Sequence, residues 1–228
     1  MGSFYTNIHV RTHDRELIER DWHSYWEERG ESSWAWVSPV YGGWISVFDY
    51  RGDVGDADAL TELAAHLSRS ADSVTLAFQV QDSDLAEYWL FHHGKELDHY
   101  KSNSDYFAAY APPDDAEEEG IFEGFGPDSK PGYAFNEDLS DGGNIRLLHS
   151  LTGDVASEIE LEAILRTPAT VADDILTALA SAIGINDTWA AVGYHYLVTE
   201  GDTIPGIAAF HHLPVNTPPN AQRFTEHD

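Results

Sequence analysis

The stretch SVTLAFQVQDSDLAEYWLFHHGKELDHYKSNSDY, residues 73–106, decides the fold. Apolar residues alternate with polar or small ones over 74–80, and two further runs follow a polar break, at 87–91 and 96–100, with the turn sequence HHGK between them. Alternation with a period of two, interrupted by short turns, is typical of antiparallel strands. The stretch therefore predicts three consecutive strands in the middle of a sheet.

The residues that precede this stretch predict three more strands and two helices. A strand is predicted over 4–10 and a hairpin over 34–48, where a Pro and a Gly-Gly pair separate two Trp-rich runs. Two helices with apolar stripes alternate with these strands. The first ends at Gly30, as a left-handed cap would, and the second begins at Asp56 or Asp58.

The order of these elements predicts an α+β fold. Residues 1–110 are expected to form a ferredoxin-like (split βαβ) domain, a mostly antiparallel sheet with helices packed on one face. Residues 111–143 are rich in Pro, Gly and acidic residues and predict an extended connection. Residues 144–228 predict a helical pair and a β-hairpin, with strands over 189–198 and 207–213. This last part forms either its own domain or the completion of the first sheet.

The charge balance limits the partners that the chain can bind. Forty acidic residues against twelve basic ones leave a net charge of −28. Such a surface argues against nucleic acid and against anionic membranes, because both are bound through Lys and Arg. Two explanations remain: an acidic surface that attracts a cationic partner, or general solubility and halophilic adaptation of the whole surface. The even spread of acidic residues along the chain favours the second explanation.

The chain contains no cysteine. This excludes disulfides, thiolate nucleophiles and cysteine-based metal sites, and it fits a reducing compartment. No apolar run approaches the ~20 residues of a membrane-spanning helix, and the N-terminus lacks a secretory signal. We therefore expect a soluble, cytoplasmic protein without a cofactor.

Tryptophans are the first candidates for a binding surface. Trp34, Trp36, Trp44 and Trp89 all lie on predicted strands, and Trp34 and Trp36 share one face because they are two residues apart. Such residues usually belong to a core, but a sheet face rich in Trp is also typical of a recognition surface. We keep these four as candidate binding residues, with burial in the core as the alternative.

Two groups of aspartates are the next candidates. Asp82 and Asp84 lie between predicted strands, where aspartate commonly forms turns, but a carboxylate pair on a loop can also hold a divalent ion or act as acid and base. Both are kept as candidate binding residues. The pattern Asp53-x-x-Asp56-x-Asp58 departs from a calcium loop at its sixth and twelfth positions. Helix capping explains it better.

Histidines and known fingerprints give no catalytic assignment. The adjacent pairs His92-His93 and His211-His212 point to opposite sides of an extended chain and cannot chelate one ion with both rings. The chain has no His-Glu-x-x-His, nucleophile elbow, phosphate loop or dinucleotide fingerprint. These findings count against the common hydrolase, NTPase and dehydrogenase classes, and we assign no catalytic residue or metal ligand.

Three blocks of sequence carry a family resemblance. They are MGSFYTN at 1–7, WLFHHGKELDHYKSNSDYF at 89–107 and AAVGYHYL at 190–197. Together they resemble a family of uncharacterised bacterial proteins that share this order of blocks over most of the chain. The resemblance implies a common fold and a soluble intracellular setting, and it carries no activity.

We therefore hypothesise an acidic α+β protein that binds rather than catalyses. A cationic protein is the expected partner, for instance a basic toxin bound by an immunity- or inhibitor-type protein, because charge, aromatic strands and the missing catalytic motifs agree with that role. One alternative is a metal-dependent hydrolase using Asp82, Asp84 and a nearby His. The other is a protein whose charge reflects halophilic adaptation alone.

Overall fold

The computed structural model describes residues 2–54, 56–103, 140–153, 155–166 and 171–215. Its strands are β1 (Tyr5–Val10), β2 (Ser33–Val37), β3 (Ile45–Asp49), β4 (Val74–Gln81), β5 (Leu85–His92), β6 (Lys95–Lys101), β7 (Asp141–Gly142) and β8 (His211–Val215). Its helices are α1 (Arg15–Arg29), α2 (Tyr50–Asp53), α3 (Ala57–Ser70), α4 (Ile145–His149), α5 (Glu158–Arg166), α6 (Ala172–Ala182), α7 (Asp187–Ala190) and α8 (Tyr194–Glu200). Short 3₁₀ helices span Gly201–Thr203 and Ile207–Ala209.

All eight strands belong to one sheet in the order β7-β6-β5-β4-β1-β3-β2-β8. Every neighbouring pair is antiparallel. In the central part, α1 carries the chain from β1 past β3 to β2, and α2 with α3 carries it from β3 past β1 to β4. This is the split βαβ arrangement. The α+β class and the mostly antiparallel sheet predicted from the sequence are confirmed.

Helices cover both faces of the sheet, whereas the sequence predicted helices on one face only. On the first face, Ile8, Val47 and Ala77 pack against α1 and α3. On the other face, Phe78 and Tyr88 pack against the C-terminal helices α4 to α6. Because successive residues of a strand point to opposite faces, the alternation over 74–80 supplies two buried surfaces of different composition. The second surface requires its own helical layer.

The prediction of a C-terminal β-hairpin is wrong. Residues 189–198 lie in α7 and α8 and the turn between them, and only His211–Val215 forms a strand, which pairs with β2. The buried residues Tyr194 and Leu197 are three apart, as on one helix face, whereas Tyr196 and Val198 are exposed. A strand would have placed Tyr194, Tyr196 and Val198 on the same side.

The strand β8 joins the two halves of the chain. Ser33 lies opposite Val215 and Val37 lies opposite His211, so β2 receives its outer neighbour from the far end of the sequence. β7 pairs with β6 at the opposite edge of the same sheet. Of the connection predicted over 111–143, residues 111–139 lie outside the described residues.

A buried aspartate fixes α1 against the sheet. Asp49, at the end of β3, accepts hydrogen bonds on Oδ2 from Trp22 Nε1 at 2.7 Å, Trp26 Nε1 at 3.1 Å and Ser33 Oγ at 3.0 Å. Its other oxygen accepts from the backbone N–H of Arg51 at 2.9 Å. Burial raises the pKa of Asp49 to about 6, although these donors act in the opposite direction.

A buried histidine lies on the other face of β1. His9 Nδ1 and Ser46 Oγ are 2.8 Å apart, and the imidazole meets the ring of Phe78 edge-on at 4.9 Å. Burial lowers the pKa of His9 to about 3, because a buried imidazolium is costly and no carboxylate of the described residues compensates it. The ring is therefore neutral in the folded protein at neutral pH.

Candidate binding site

The candidate site is built on the buried carboxylate of Asp53, which lies next to the start of β1. Asp53 closes the short helix α2, which follows β3 directly and lies beside the start of β1. Its Oδ1 accepts a hydrogen bond from the backbone N–H of Thr6 at 2.9 Å. Its Oδ2 accepts from the backbone N–H of His195 at 2.8 Å and contacts His195 Nδ1 at 2.9 Å. Asp53 thus ties β1, α2 and α8 together.

These contacts fix the tautomer of His195. An ionised carboxylate can only accept hydrogen bonds, so the proton of the neutral imidazole is assigned to Nδ1. Nε2 then carries a lone pair and has no partner among the described residues. The side chain of Asp53 is 2% exposed, whereas that of His195 is 56% exposed. With a neutral imidazole, the site therefore presents Nε2 to solvent as a hydrogen-bond acceptor, and the contact with Asp53 fixes the orientation of the ring.

Gly193 makes the approach of α8 possible. A Cβ at this position would overlap the Oδ1 atom of Asp53 and would lie 2.9 Å from the Cβ of Tyr5. Its backbone angles, φ −117° and ψ −176°, are open to any residue, so space alone selects glycine here.

Replacing Gly193 with alanine is expected to destabilise the protein by about 1–3 kcal/mol, because the added methyl group must push Asp53 or Tyr5 aside. Urea denaturation followed by tryptophan fluorescence measures the change. Gly201→Ala is the matched control, since Gly201 is helical and its added Cβ meets only Ile207 at 3.6 Å. Equal stability of the two variants would contradict the close packing of Gly193 on Asp53.

An aromatic patch surrounds His195. We use this name for Trp34, Trp36, Tyr50, Tyr194, His195 and His212. The ring centroids of Tyr50 and His195 are 5.5 Å apart, Tyr50 and Tyr194 are 5.6 Å apart at 78°, and Trp34 and Tyr50 are 5.2 Å apart at 90°. Trp36 and His212 pack at 4.8 Å. Trp34, Trp36 and Tyr50 are half-buried, and His212 is exposed.

The patch follows from the register of β2 and β8. Trp34 and Trp36 point to one face of β2, and His212 lies directly opposite Trp36 on β8. Beneath the patch is a separate apolar cluster that contains Phe48 and Leu197. Tyr194 is a buried member of that cluster, and Trp34, Trp36 and Tyr50 pack against it while remaining partly exposed. α4 to α6 cover the other end of this face.

The structure brings two of the four predicted tryptophans together. Trp34 and Trp36 lie in the patch. Trp44 is 2% exposed in the core, where its Nε1 donates to the carbonyl of Ile183 at 3.1 Å. Trp89 lies on the opposite face of the sheet and stacks on His99 at 4.9 Å. Trp44 is therefore a core residue, and Trp89 is remote from the patch.

Asp82 and Asp84 form the turn between β4 and β5. Asp82 and Ser83 both have positive φ, 53° and 59°, and the N–H of Asp84 donates to the carbonyl of Gln81 at 3.0 Å. Burial, and next the charge of Asp82, raise the pKa of Asp84. No histidine of the described ranges forms a hydrogen bond or ion pair with either aspartate. A turn explains both residues.

Helix capping accounts for one aspartate of the pattern Asp53-x-x-Asp56-x-Asp58. Asp56 is the N-cap of α3, and its Oδ1 accepts from the N–H of Ala59 at 2.9 Å, as the sequence predicted. Within the part of the chain that the structure describes, no three His, Cys, Asp or Glu side chains come together as metal ligands.

Sequence reasoning missed the pair at the centre of the site. Asp53 and His195 are 142 positions apart, and no local pattern links residues so distant. Tyr50 and Tyr194 were missed for the same reason. The one local hint is a glycine directly before Tyr194-His195, which fits a close backbone approach.

Comparisons of the chain with protein-family models, with curated proteins and with solved structures found no match. The resemblance of the three sequence blocks to uncharacterised bacterial proteins stays a prediction. Among the described residues, no helix combines the length and apolar character needed to cross a membrane.

Proposed function

We propose that the protein binds a cationic protein through the aromatic patch. The observation that carries this proposal is the position of an exposed, tautomer-fixed histidine among half-buried Trp and Tyr rings. Large rings that are held by a rigid sheet and remain accessible are typical of the energetic centre of a binding surface. An immunity- or inhibitor-type role against a basic protein is one form that this function takes.

Charge supports a cationic partner. The whole chain carries a net charge of −28, which accelerates encounters with positively charged proteins. Within the site, Asp53 adds a buried negative charge, and no lysine or arginine of the described ranges forms an ion pair with it. The faces of aromatic rings also attract cations. The patch therefore combines contact area with a negative potential.

Hydrolysis has less support than binding. The alternative from the sequence required Asp82 and Asp84 beside a histidine, and these residues form a turn with no such neighbour among the described residues. His195 Nε2 has the lone pair of a base, but a base alone defines no reaction. Within the same ranges, no hydroxyl group forms a hydrogen bond with this atom.

Binding of defined cationic peptides tests the proposal. Short peptides rich in Lys and Arg are screened against the purified protein, and the tightest is measured by isothermal titration calorimetry. Raising NaCl from about 0.05 M to about 0.3 M is expected to weaken binding about tenfold or more, because screening reduces long-range attraction. Trp34→Ala is expected to weaken binding by a similar factor, through loss of a central ring.

Trp89→Ala is the matched control, because it removes the same side chain from the opposite face of the sheet. It is expected to leave peptide affinity unchanged. The proposal fails if no cationic peptide binds, or if Trp34→Ala and Trp89→Ala bind equally well. Salt titration of a net-neutral peptide of the same length separates specific attraction from a general effect of salt on the protein.

A further inference from the structure

We infer that the aromatic patch recognises the guanidinium group of an arginine side chain, which stacks on the rings and donates an N–H to His195 Nε2. This inference rests on the proposed function, because it assigns the chemical group that a cationic partner inserts. It makes His195 the residue that distinguishes arginine from other cations.

The rings provide the stacking surfaces. Trp34 stands at 90° to Tyr50, and Tyr50 stands at 78° to Tyr194. Rings at right angles present their faces in different directions, as the walls of a site for an organic cation do. All three are anchored: Trp34 on β2, Tyr50 at the start of α2 and Tyr194 at the start of α8. A guest therefore meets the partly exposed rings of Trp34 and Tyr50, whereas Tyr194 is buried and packs against Tyr50.

His195 provides the directional contact. Its Nδ1 proton is held by Asp53, so Nε2 accepts hydrogen bonds and cannot donate one while the ring is neutral. An acceptor selects a partner with N–H groups, and the arginine side chain has five. Asp53 lies directly behind the ring, with 2% of its side chain exposed. A carboxylate that accepts a hydrogen bond from one imidazole nitrogen makes the other nitrogen a better acceptor.

Arginine fits this combination better than lysine. The guanidinium group is planar and weakly hydrated, so it stacks on a ring while its N–H groups donate in the plane. A lysine ammonium is compact and strongly hydrated. A trimethylated ammonium interacts with aromatic faces but has no N–H to donate.

The same chain contains an internal example of this chemistry. The guanidinium carbon of Arg29 lies 3.7 Å from the centroid of the Tyr25 ring, and Nη2 donates to Glu62 Oε2 at 2.8 Å. An aromatic face and a hydrogen-bond acceptor thus hold one guanidinium group together. In the patch, Tyr50 and His195 supply the same two elements without an arginine of the described residues between them.

Matched peptides test the inference. One short sequence is synthesised with arginine, citrulline, lysine or trimethyl-lysine at a single position, and affinities are measured by calorimetry at constant low salt. The arginine peptide is expected to bind tightest. Citrulline, which keeps the shape and loses the charge, is expected to bind about tenfold more weakly or worse.

Variants separate the two parts of the site. His195→Ala is expected to weaken arginine binding about tenfold, through loss of a hydrogen bond to a charged group, and to weaken trimethyl-lysine binding much less, because that group has no N–H to donate. Retained trimethyl-lysine binding also reports that the variant is folded. Trp34→Ala is expected to weaken both. His93→Ala is the matched control, because His93 is an exposed histidine whose Nδ1 lies 2.7 Å from Asp72 outside the patch.

The outcomes distinguish this inference from the proposed function. If citrulline binds as well as arginine, or if His195→Ala leaves arginine affinity unchanged, arginine recognition is wrong. If lysine peptides bind best and still depend on Trp34, cation binding at the patch stands without arginine selectivity. If none of the cationic peptides binds, both proposals fail.

Discussion

Replacing Asp49 with leucine is expected to lower the free energy of unfolding by about 3–5 kcal/mol. The carboxylate is buried and is the acceptor for Trp22, Trp26 and Ser33. Leucine removes that acceptor and leaves two indole N–H groups without a partner in the core. The cost of unpaired buried donors exceeds the gain from removing a buried charge, because each donor loses its hydrogen bond to water on folding.

Urea denaturation at neutral pH measures this effect. Asp49→Asn is expected to be intermediate, because an amide oxygen still accepts from the indoles while its NH₂ group replaces the acceptor of the Arg51 N–H. Asp202→Ala serves as the control, since Asp202 is exposed in a 3₁₀ helix. If Asp49→Leu unfolds at the same urea concentration as Asp202→Ala, the hydrogen bonds to Asp49 do not stabilise the folded state as proposed.

The second large effect is a pH dependence that His9 introduces. Its pKa is about 3 in the folded protein and about 6.5 in an unfolded chain. The unfolded state therefore binds more protons between these values, and the stability due to His9 is lost as pH falls through this range. Between pH 7 and pH 4 the expected loss is about 3 kcal/mol.

Asp49 acts with the opposite sign. Its pKa is about 6 when folded and about 3.9 when unfolded, so the folded state takes up the proton first, and stability rises by about 2 kcal/mol as pH falls from 7 to 4. The two contributions nearly cancel in the wild-type chain. A variant is needed to reveal either one.

His9→Leu isolates the histidine contribution. The stability of the variant relative to the wild type is expected to rise by about 3 kcal/mol between pH 7 and pH 4, because leucine takes up no proton on unfolding. Urea denaturation of both proteins between pH 4 and pH 7 gives the difference directly, and the contribution of Asp49 is common to both. The exposed residue His13 supplies the control, because His13→Leu is expected to show no such trend. A constant difference for His9→Leu would contradict a neutral buried ring.

The strands and helices of the N-terminal part were predictable because their patterns are local. Alternation marks β1 to β6, and Gly30 and Asp56 are caps that the sequence suggested. The second helical layer was not predicted. Which face of β4 is covered, and by what, depends on residues more than sixty positions away. Over residues 189–198, short helices and a strand give similar local patterns, and burial by distant partners decided between them.

The candidate site was predictable only in its tryptophans. Trp34 and Trp36 share a face because strand geometry requires it. Asp53 and His195 come together through the path of the whole chain, since β4 to β7 and α4 to α7 separate α2 from α8 in the sequence. A carboxylate beside Asp56 and Asp58 looked like one more helix cap. The role of Asp53 becomes visible only in the folded structure, where it contacts His195.

The pairing of β2 with β8 has a consequence for synthesis on the ribosome. Ser33 on β2 pairs with Val215 on β8. A nascent chain that already contains the central strands therefore exposes the outer edge of β2 until nearly all described residues have emerged. Such an edge is open to pairing with other chains. Long-range closure of this kind also slows folding. Emergence of His211–Val215, rather than of the first hundred residues, is therefore the step that adds the last strand beside β2.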